Sequence, residues 1–226
     1  MQSITDVFFD LDHTLWDFEK NSALAFDTVF RQNGIDIEMD AFLEHYVPIN
    51  LKYWTRYRDG LISQQELRFG RLNEAFAAID MTFEPEIIEK ISEGYIHYLP
   101  QFNHLLPGAA EVLCYLHGRY KLHIITNGFA QVQYHKLKNA TLLDYFTTIT
   151  DSESAGVKKP NPAIFEHALR VADATCSASI MIGDCIDADV RGALNCGMHA
   201  ILYNPVACGD RSVRQIFELT ELKSIL

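Results

Sequence analysis

The 226-residue sequence lacks the features that mark membrane and exported proteins. It has no run of the roughly 18 to 20 apolar residues that a membrane-spanning helix requires. Asp6 interrupts the N-terminus before the apolar region of a signal peptide could develop. We therefore expect a protein that is neither anchored in a membrane nor exported.

Cysteine is scarce and scattered. The five cysteines are odd in number and include no Cys-x-x-Cys pair. This argues against a disulfide framework and against a zinc ribbon, and reduced thiols in the cytoplasm fit the pattern best.

Basic residues are in deficit, with 19 Lys and Arg against 30 Asp and Glu and a formal net charge of −11. Such a charge repels polyanions at long range, which disfavours nucleic acid polymers as partners. Any site that binds an anion must therefore be local.

The overall composition is that of a globular protein, with 48% hydrophobic and 22% charged residues. Short apolar runs alternate with helix-like stretches, which is typical of a parallel α/β sheet. The runs cover residues 6–9, 122–126, 179–182 and 200–203.

A different kind of sequence lies between the first two runs, with helical periodicity and no convincing strand. One helix is predicted to end at Gly34, and another to begin at Ser63, where Ser63-Gln64-Gln65-Glu66 matches a capping box. We predict a core domain made of residues 1–15 and 106–226, with an all-helical domain inserted over 16–105. A closing helix is predicted over 212–226.

Four polar clusters stand at or just beyond the predicted strand ends. Because side-chain direction repeats every two residues in extended chain, Asp10 and Asp12 project the same way. Parallel strands finish at one edge of a sheet, so Asp10, Thr126 and Asp184 can converge. The clusters are Asp10-Leu11-Asp12-His13-Thr14, Thr126-Asn127-Gly128, Gly156-Val157-Lys158-Lys159-Pro160 and Gly183-Asp184-Cys185-Ile186-Asp187-Ala188-Asp189.

The first and fourth clusters supply carboxylates, and the other two supply different groups. Two acids from separate strand ends offer a hard oxygen site suited to Mg²⁺. The turn at Thr126 supplies a hydroxyl and backbone N–H groups, which can grip phosphate oxygens. The third cluster carries a cation. Gln133 follows the turn on a predicted helix and is expected to face solvent.

Taken in this order, the four motifs resemble those of haloacid dehalogenase superfamily phosphatases with a helical cap inserted after the first motif. The resemblance spans nearly the whole chain and implies a Rossmann-like α/β core with the cap over 16–105. It also implies a Mg²⁺-dependent hydrolase that cleaves phosphomonoesters through an aspartyl-phosphate intermediate.

The same resemblance gives roles to individual residues. Asp10 would be the nucleophile and a metal ligand, and Asp184 a further ligand. Asp12 would be the general acid/base and would offer its backbone carbonyl to the metal. Asp189 matches the family's additional acid, acting through water or behind the direct metal ligands, and is preferred for this role over its rival, Asp187.

The phosphate-binding residues implied by the resemblance are Thr126, the backbone of Asn127, and Lys159, which also acts in catalysis as a charge clamp. The second aspartate, Asp12, separates this chain from the dehalogenases, which lack it and use no metal. The motif from Asp10 to Phe18, with His13 in place of the commoner glycine, most resembles that of bacterial nucleoside 5′-monophosphate phosphatases with pyrimidine preference.

The expected partner is thus a small phosphorylated metabolite, a nucleotide in the favoured interpretation. Three alternatives stay open. The chain could be a phosphatase for small sugar or glycolyl phosphates, a phosphomutase, or a non-catalytic binding module that keeps the fold. The first two share the catalytic residues of a nucleotidase and differ from it in the helical insert.

Overall fold

The structure is a computed structural model that describes residues 3–210 and 212–226. It divides into two compact units. One is formed by the chain up to Phe18 and from Asn103 onward, and the other by Glu19–Phe102. The first contains the sheet and the second is helical; the role of the second as a cap stays a prediction.

Within the described residues, the sheet of the first unit has six strands, all parallel. They are β1 (Asp6–Phe9), β2 (Lys121–Thr126), β3 (Thr148–Asp151), β4 (Ser179–Gly183), β5 (His199–Tyr203) and β6 (Gln215–Ile216). Their order in the sheet is β3-β2-β1-β4-β5-β6. Four of them coincide with the predicted apolar runs, so the predicted α/β class is confirmed.

The central strand β1 is buried along its whole length. This is expected of a parallel sheet covered on both faces, where strands are continuous apolar runs. Its register aligns Phe9 with Ile124 of β2 and with Ile182 of β4. The ends of these three strands therefore lie side by side.

Four helices form the second unit. They are α1 (Phe18–Gln32), α2 (Met39–Arg58), α3 (Gln64–Ala77) and α4 (Pro85–Tyr98). The predicted capping box opens α3, since Ser63 Oγ accepts from the Glu66 N–H at 3.2 Å and Glu66 Oε2 accepts from the Ser63 N–H at 2.7 Å. Gly34, beyond α1, has the positive φ of 65° expected of a C-terminal glycine.

A buried arginine sits among the aromatic side chains of this helical unit. Arg71 on α3 is 3% exposed, and its Nη1 donates to Oδ1 of Asn50 on α2 at 2.6 Å. The guanidinium lies 5.9 Å from the ring centroid of Tyr46 and 5.3 Å from that of Tyr95. Asn50 is thus a neutral acceptor for one nitrogen of a buried guanidinium, whose Nε has no hydrogen-bond partner in the described part of the chain.

The remaining α-helices of the described residues belong to the first unit. They are α5 (Ala109–Leu116), α6 (Ala130–Asn139), α7 (Ser152–Ala155), α8 (Pro162–Ala172) and α9 (Gly192–Asn195). None of the helices in the described ranges is both long and apolar enough to cross a membrane.

The predicted closing helix over 212–226 is wrong for its first half. Gln215 and Ile216 instead extend the sheet by pairing with Leu202 and Tyr203 of β5. Only a 3₁₀ turn over Leu219–Ser224 follows. The sheet edge offers this segment backbone partners that an isolated amphipathic pattern does not reveal.

Candidate active site

Asp10 continues the central strand by one residue. Its N–H donates to the carbonyl of Ile182 at 2.9 Å, which extends the pairing of β1 with β4. Thr126 is the last residue of β2, and Asp184 directly follows β4. Because β1 lies between β2 and β4, the sheet carries all three residues to one edge.

Three carboxylates and one ammonium form the buried centre of this edge. Ligand atoms of Asp10, Asp184 and Asp189 all lie within 4.8 Å of one another. Lys159, 2% exposed, donates from Nζ to Asp10 Oδ1 at 2.7 Å and to Asp189 Oδ1 at 2.6 Å. A third bond, to the Ile125 carbonyl at 2.7 Å, completes the coordination of the ammonium.

This centre is short of positive charge. Burial raises the pKa of Asp10 to about 8, against the attraction of Lys159, and the neighbouring carboxylates add to the increase. Burial and repulsion by Asp189 raise the pKa of Asp184 to about 7. The pKa of Lys159 is itself raised, because its two carboxylate partners outweigh its burial.

The donor set fits a hard divalent cation. Its three side chains offer carboxylate oxygens, with neither histidine nor cysteine among them. Thr14 orients one of the three, since its hydroxyl donates to Asp184 Oδ1 at 3.3 Å. A cation at this point would offset the excess negative charge that raises the two pKa values.

Asp189, rather than Asp187, belongs to this centre. Asp189 is 1% exposed and also accepts from the N–H of Cys185 at 2.9 Å. Asp187 is exposed and pairs with Arg191 at 2.6 Å. A Cβ at Gly183 would lie 2.3 Å from Asp189 Oδ2, so only glycine allows the carboxylate to pack there.

The turn after β2 is fixed to the segment that carries Lys159. Asn127 Oδ1 accepts from the backbone N–H of Lys159 at 2.7 Å, and its Nδ2 donates to the Lys159 carbonyl at 3.0 Å. Ser152 also donates to the Asn127 carbonyl at 3.2 Å. The side chain of Asn127 therefore ties two loops together. The phosphate contact predicted for this residue would come from its backbone N–H.

Asp12 is held by two residues that the sequence interpretation missed. Lys136 Nζ donates to Asp12 Oδ1 at 2.6 Å, and Gln133 Nε2 donates to Asp12 Oδ2 at 2.9 Å. Gln133 also donates to Thr126 Oγ1 at 2.8 Å. Gln133 is only 1% exposed, so the expectation that it faces solvent is wrong. The available signal was the spacing of 133, 136 and 137 on one face of α6, with Leu137 marking that face as buried.

Comparisons with known proteins agree with this geometry. A family model described as haloacid dehalogenase-like hydrolase matches residues 6–197. The chain is 34% identical over 199 residues to Pyrimidine 5′-nucleotidase YjjG of Escherichia coli (strain K12), which covers 88% of this chain and 85% of that protein. It is 32% identical over 204 residues to the Glyceraldehyde 3-phosphate phosphatase of Pyrococcus abyssi. That match covers 87% of this chain and 80% of the phosphatase.

Among solved structures, the HAD-hydrolase YfnB from Bacillus subtilis bound to magnesium superposes with a TM-score of 0.89 at 26% identity. The match covers 100% of this chain and 99% of that one. The resemblance inferred from the four motifs is thus confirmed, as is the prediction of an enzyme. The chain belongs to the haloacid dehalogenase-like hydrolase family.

Proposed function

We propose that this protein is a Mg²⁺-dependent phosphomonoesterase that hydrolyses nucleoside 5′-monophosphates, with a preference for pyrimidines. One observation carries the reaction type. The carboxylate of Asp10 lies at the end of the central strand against the Lys159 ammonium, with the carboxylate of Asp184 in the same cluster. The similarity to the nucleotidase YjjG supports the choice of substrate.

The proposed metal ligands are the carboxylates of Asp10 and Asp184 and the backbone carbonyl of Asp12, with Asp189 supporting the set. The charge deficit of the cluster supports this assignment, as does the magnesium named in the YfnB structure. When bound, Mg²⁺ supplies the positive charge that lets a carboxylate approach an anionic phosphoryl group.

In the first half-reaction, a carboxylate oxygen of Asp10 attacks phosphorus and the ester P–O bond breaks. Asp12 gives its proton to the departing alkoxide, which leaves as the alcohol. Lys159 holds Asp10 through Oδ1, while the Thr126 hydroxyl and the backbone N–H of Asn127 donate to the phosphoryl oxygens. The product on the enzyme is the phosphoryl ester of Asp10.

In the second half-reaction, Asp12 acts as a base and takes a proton from water. The water oxygen attacks phosphorus, the bond to Asp10 breaks, and inorganic phosphate leaves. Asp12 ends protonated and Asp10 ends ionised, so the site returns to its starting state. One carboxyl group thus serves both steps, as general acid and then as general base.

The test is Mg²⁺-dependent phosphate release by the wild type and by Asp10→Asn. We expect the wild type to act on uridine, thymidine and cytidine monophosphates, and Asp10→Asn to lose turnover while keeping its circular dichroism spectrum. The matched control is Asp187→Asn, a neighbouring exposed acid outside the cluster. Substantial turnover by a clean preparation of Asp10→Asn would refute the nucleophile assignment.

The second candidate is a phosphatase for small sugar phosphates, which the similarity to the glyceraldehyde 3-phosphate phosphatase favours. A panel of pyrimidine monophosphates, purine monophosphates, glyceraldehyde 3-phosphate and phosphoglycolate separates the two by kcat/KM. We retain the predicted role of the helical unit as a cap that selects the leaving group. Transfer of phosphate between two hydroxyls of a sugar would instead indicate a phosphomutase, and inactivity on the whole panel a binding module.

A further inference from the structure

We propose that Gln133 and Lys136 are positioning residues that hold the carboxyl group of Asp12 in place for proton transfer. Through Gln133, the same contacts orient the hydroxyl of Thr126. The inference rests on the proposed function, because only there does Asp12 exchange protons with the leaving group and with water. We call the two residues the Asp12 brace.

The brace occupies both oxygens of Asp12. Lys136 reaches Oδ1 at 2.6 Å and Gln133 reaches Oδ2 at 2.9 Å, so the carboxyl plane cannot turn without breaking a hydrogen bond. Each carboxylate oxygen keeps a second lone pair, on which a transferred proton can reside. The brace thus fixes the direction of that lone pair and leaves it available.

Lys136 is held like a core residue. Its side chain is 3% exposed, and its ammonium lies 4.2 Å from the ring centroid of Trp16 and 5.2 Å from that of Phe18. Burying an ammonium is costly unless charge and hydrogen bonds compensate. The hydrogen bond to the Asp12 carboxyl group and the two aromatic faces provide that compensation, so the lysine has one well-defined position.

Gln133 links the general acid to the phosphate turn. Its amide nitrogen has two hydrogens, and its two acceptors are Asp12 Oδ2 and Thr126 Oγ1. Thr126 Oγ1 also accepts from the Gly128 N–H at 3.1 Å. With both lone pairs of this hydroxyl engaged, its proton is directed away from these donors, toward an acceptor such as a phosphoryl oxygen.

Gly128 shows how closely the brace packs on this turn. A Cβ at this position would lie 2.4 Å from Cδ of Gln133 and 2.5 Å from its Nε2. No side chain fits without moving the amide. The glycine of the Thr126-Asn127-Gly128 motif is therefore required by the contact with Gln133.

The leaving group provides the test, because protonation matters only for a poor one. We would compare uridine monophosphate, whose alkoxide needs a proton, with 4-nitrophenyl phosphate, whose phenolate does not. The variants are Gln133→Met and Lys136→Met. Controls on the exposed side of the same helix are Gln131→Met and Lys138→Met.

For both brace variants we expect kcat with uridine monophosphate to fall about 10- to 100-fold, part of the 10²- to 10⁴-fold that general acid–base catalysis supplies. With 4-nitrophenyl phosphate, the burst of nitrophenolate should keep its rate within about threefold, while steady-state turnover slows because Asp12 also serves as base in the second step. KM should change little. Lys136→Arg should restore most of kcat, since it keeps a cation at Oδ1.

Two results would overturn the inference. One is an unchanged kcat with uridine monophosphate in both brace variants. The other is an equal loss of burst and steady-state rates with both substrates, which is the signature of general damage to the site. Absence of Mg²⁺-dependent turnover in the wild type would instead refute the proposed function. Should Lys136→Met fail to fold, Gln133→Met carries the test.

Discussion

The ammonium of Lys159 donates to Oδ1 of Asp10 at 2.7 Å, and the two residues are 149 positions apart in the chain. The side chain of Lys159 is 2% exposed and that of Asp10 13% exposed. Burial strengthens their attraction, because little water screens it. The pair therefore fixes the proposed nucleophile against the strand end.

Removing the Lys159 ammonium should lower the rate of phosphoryl transfer. We expect Lys159→Met to reduce kcat about 10²- to 10³-fold, the cost of losing one preorganised donor at a site of developing charge. Steady-state kinetics with uridine monophosphate measure it. Lys158→Met is the matched control, since it removes a neighbouring cation that is only partly buried. Equal activity of the two variants would contradict the assignment of Lys159.

Stability without divalent metal should depend on pH through Asp184. Its pKa is raised from 3.8 to about 7, so the folded state holds a proton that the unfolded chain releases. For a carboxyl group with a raised pKa, stability falls as pH rises between the unfolded and folded values. In EDTA, Asp184→Asn should therefore gain stability relative to the wild type from pH 4 to pH 8.

Chemical denaturation at several pH values measures this difference, and Mg²⁺ should reduce it for the wild type at pH 8 by neutralising the carboxylate. A stability difference that shrinks as pH rises would contradict the raised pKa of Asp184. Asp187→Asn serves as the control, because its carboxylate is exposed and pairs with Arg191.

Gly128→Ala should disturb the active site through Gln133. The added methyl group would stand 2.4 Å from Gln133 Cδ, so the amide must move away from Asp12 and Thr126. We expect the double variant Gly128→Ala, Gln133→Ala to lose much less activity than the two single effects combined, because the shorter side chain makes room. Additive losses of activity would show that Gly128→Ala does not act through the side chain of Gln133.

In the helical unit, Asn50→Leu should destabilise the fold by about 1.5 to 3 kcal/mol, the value of a hydrogen bond to a charged group. The substitution takes away the acceptor of the Arg71 Nη1, while the guanidinium stays buried. Asn50→Asp keeps an acceptor and should be close to the wild type or more stable. Urea denaturation of the three proteins checks this, and equal midpoints would contradict it.

Much of the fold could be predicted because its main strands are apolar runs of four to six residues. Strand β3, with the sequence Thr-Ile-Thr-Asp, and the two-residue β6 escaped prediction. Both are defined by backbone pairing with a neighbouring strand, and too few apolar residues mark them. The paired acids could be located because strand ends of a parallel sheet meet at one edge.

The spacing on α6 could indicate that Gln133 and Lys136 lie on its buried face, but it could not identify the residue that they contact. A polar residue on a helix normally faces water, and its burial depends on what packs over it. Here the partner is Asp12, which lies 121 residues before Gln133 and 124 before Lys136. Only the folded arrangement of β1 beside β2 brings them into contact.

The position of β1 between β2 and β4 also has a consequence for biosynthesis. Its first residue, Asp6, is paired with Lys121 on one side and with Ser179 on the other. During translation β1, which leads directly into the proposed nucleophile Asp10, thus emerges long before either of its neighbouring strands exists. A nascent chain can bring the proposed site residues together only after the ribosome has released the segment through Asp189.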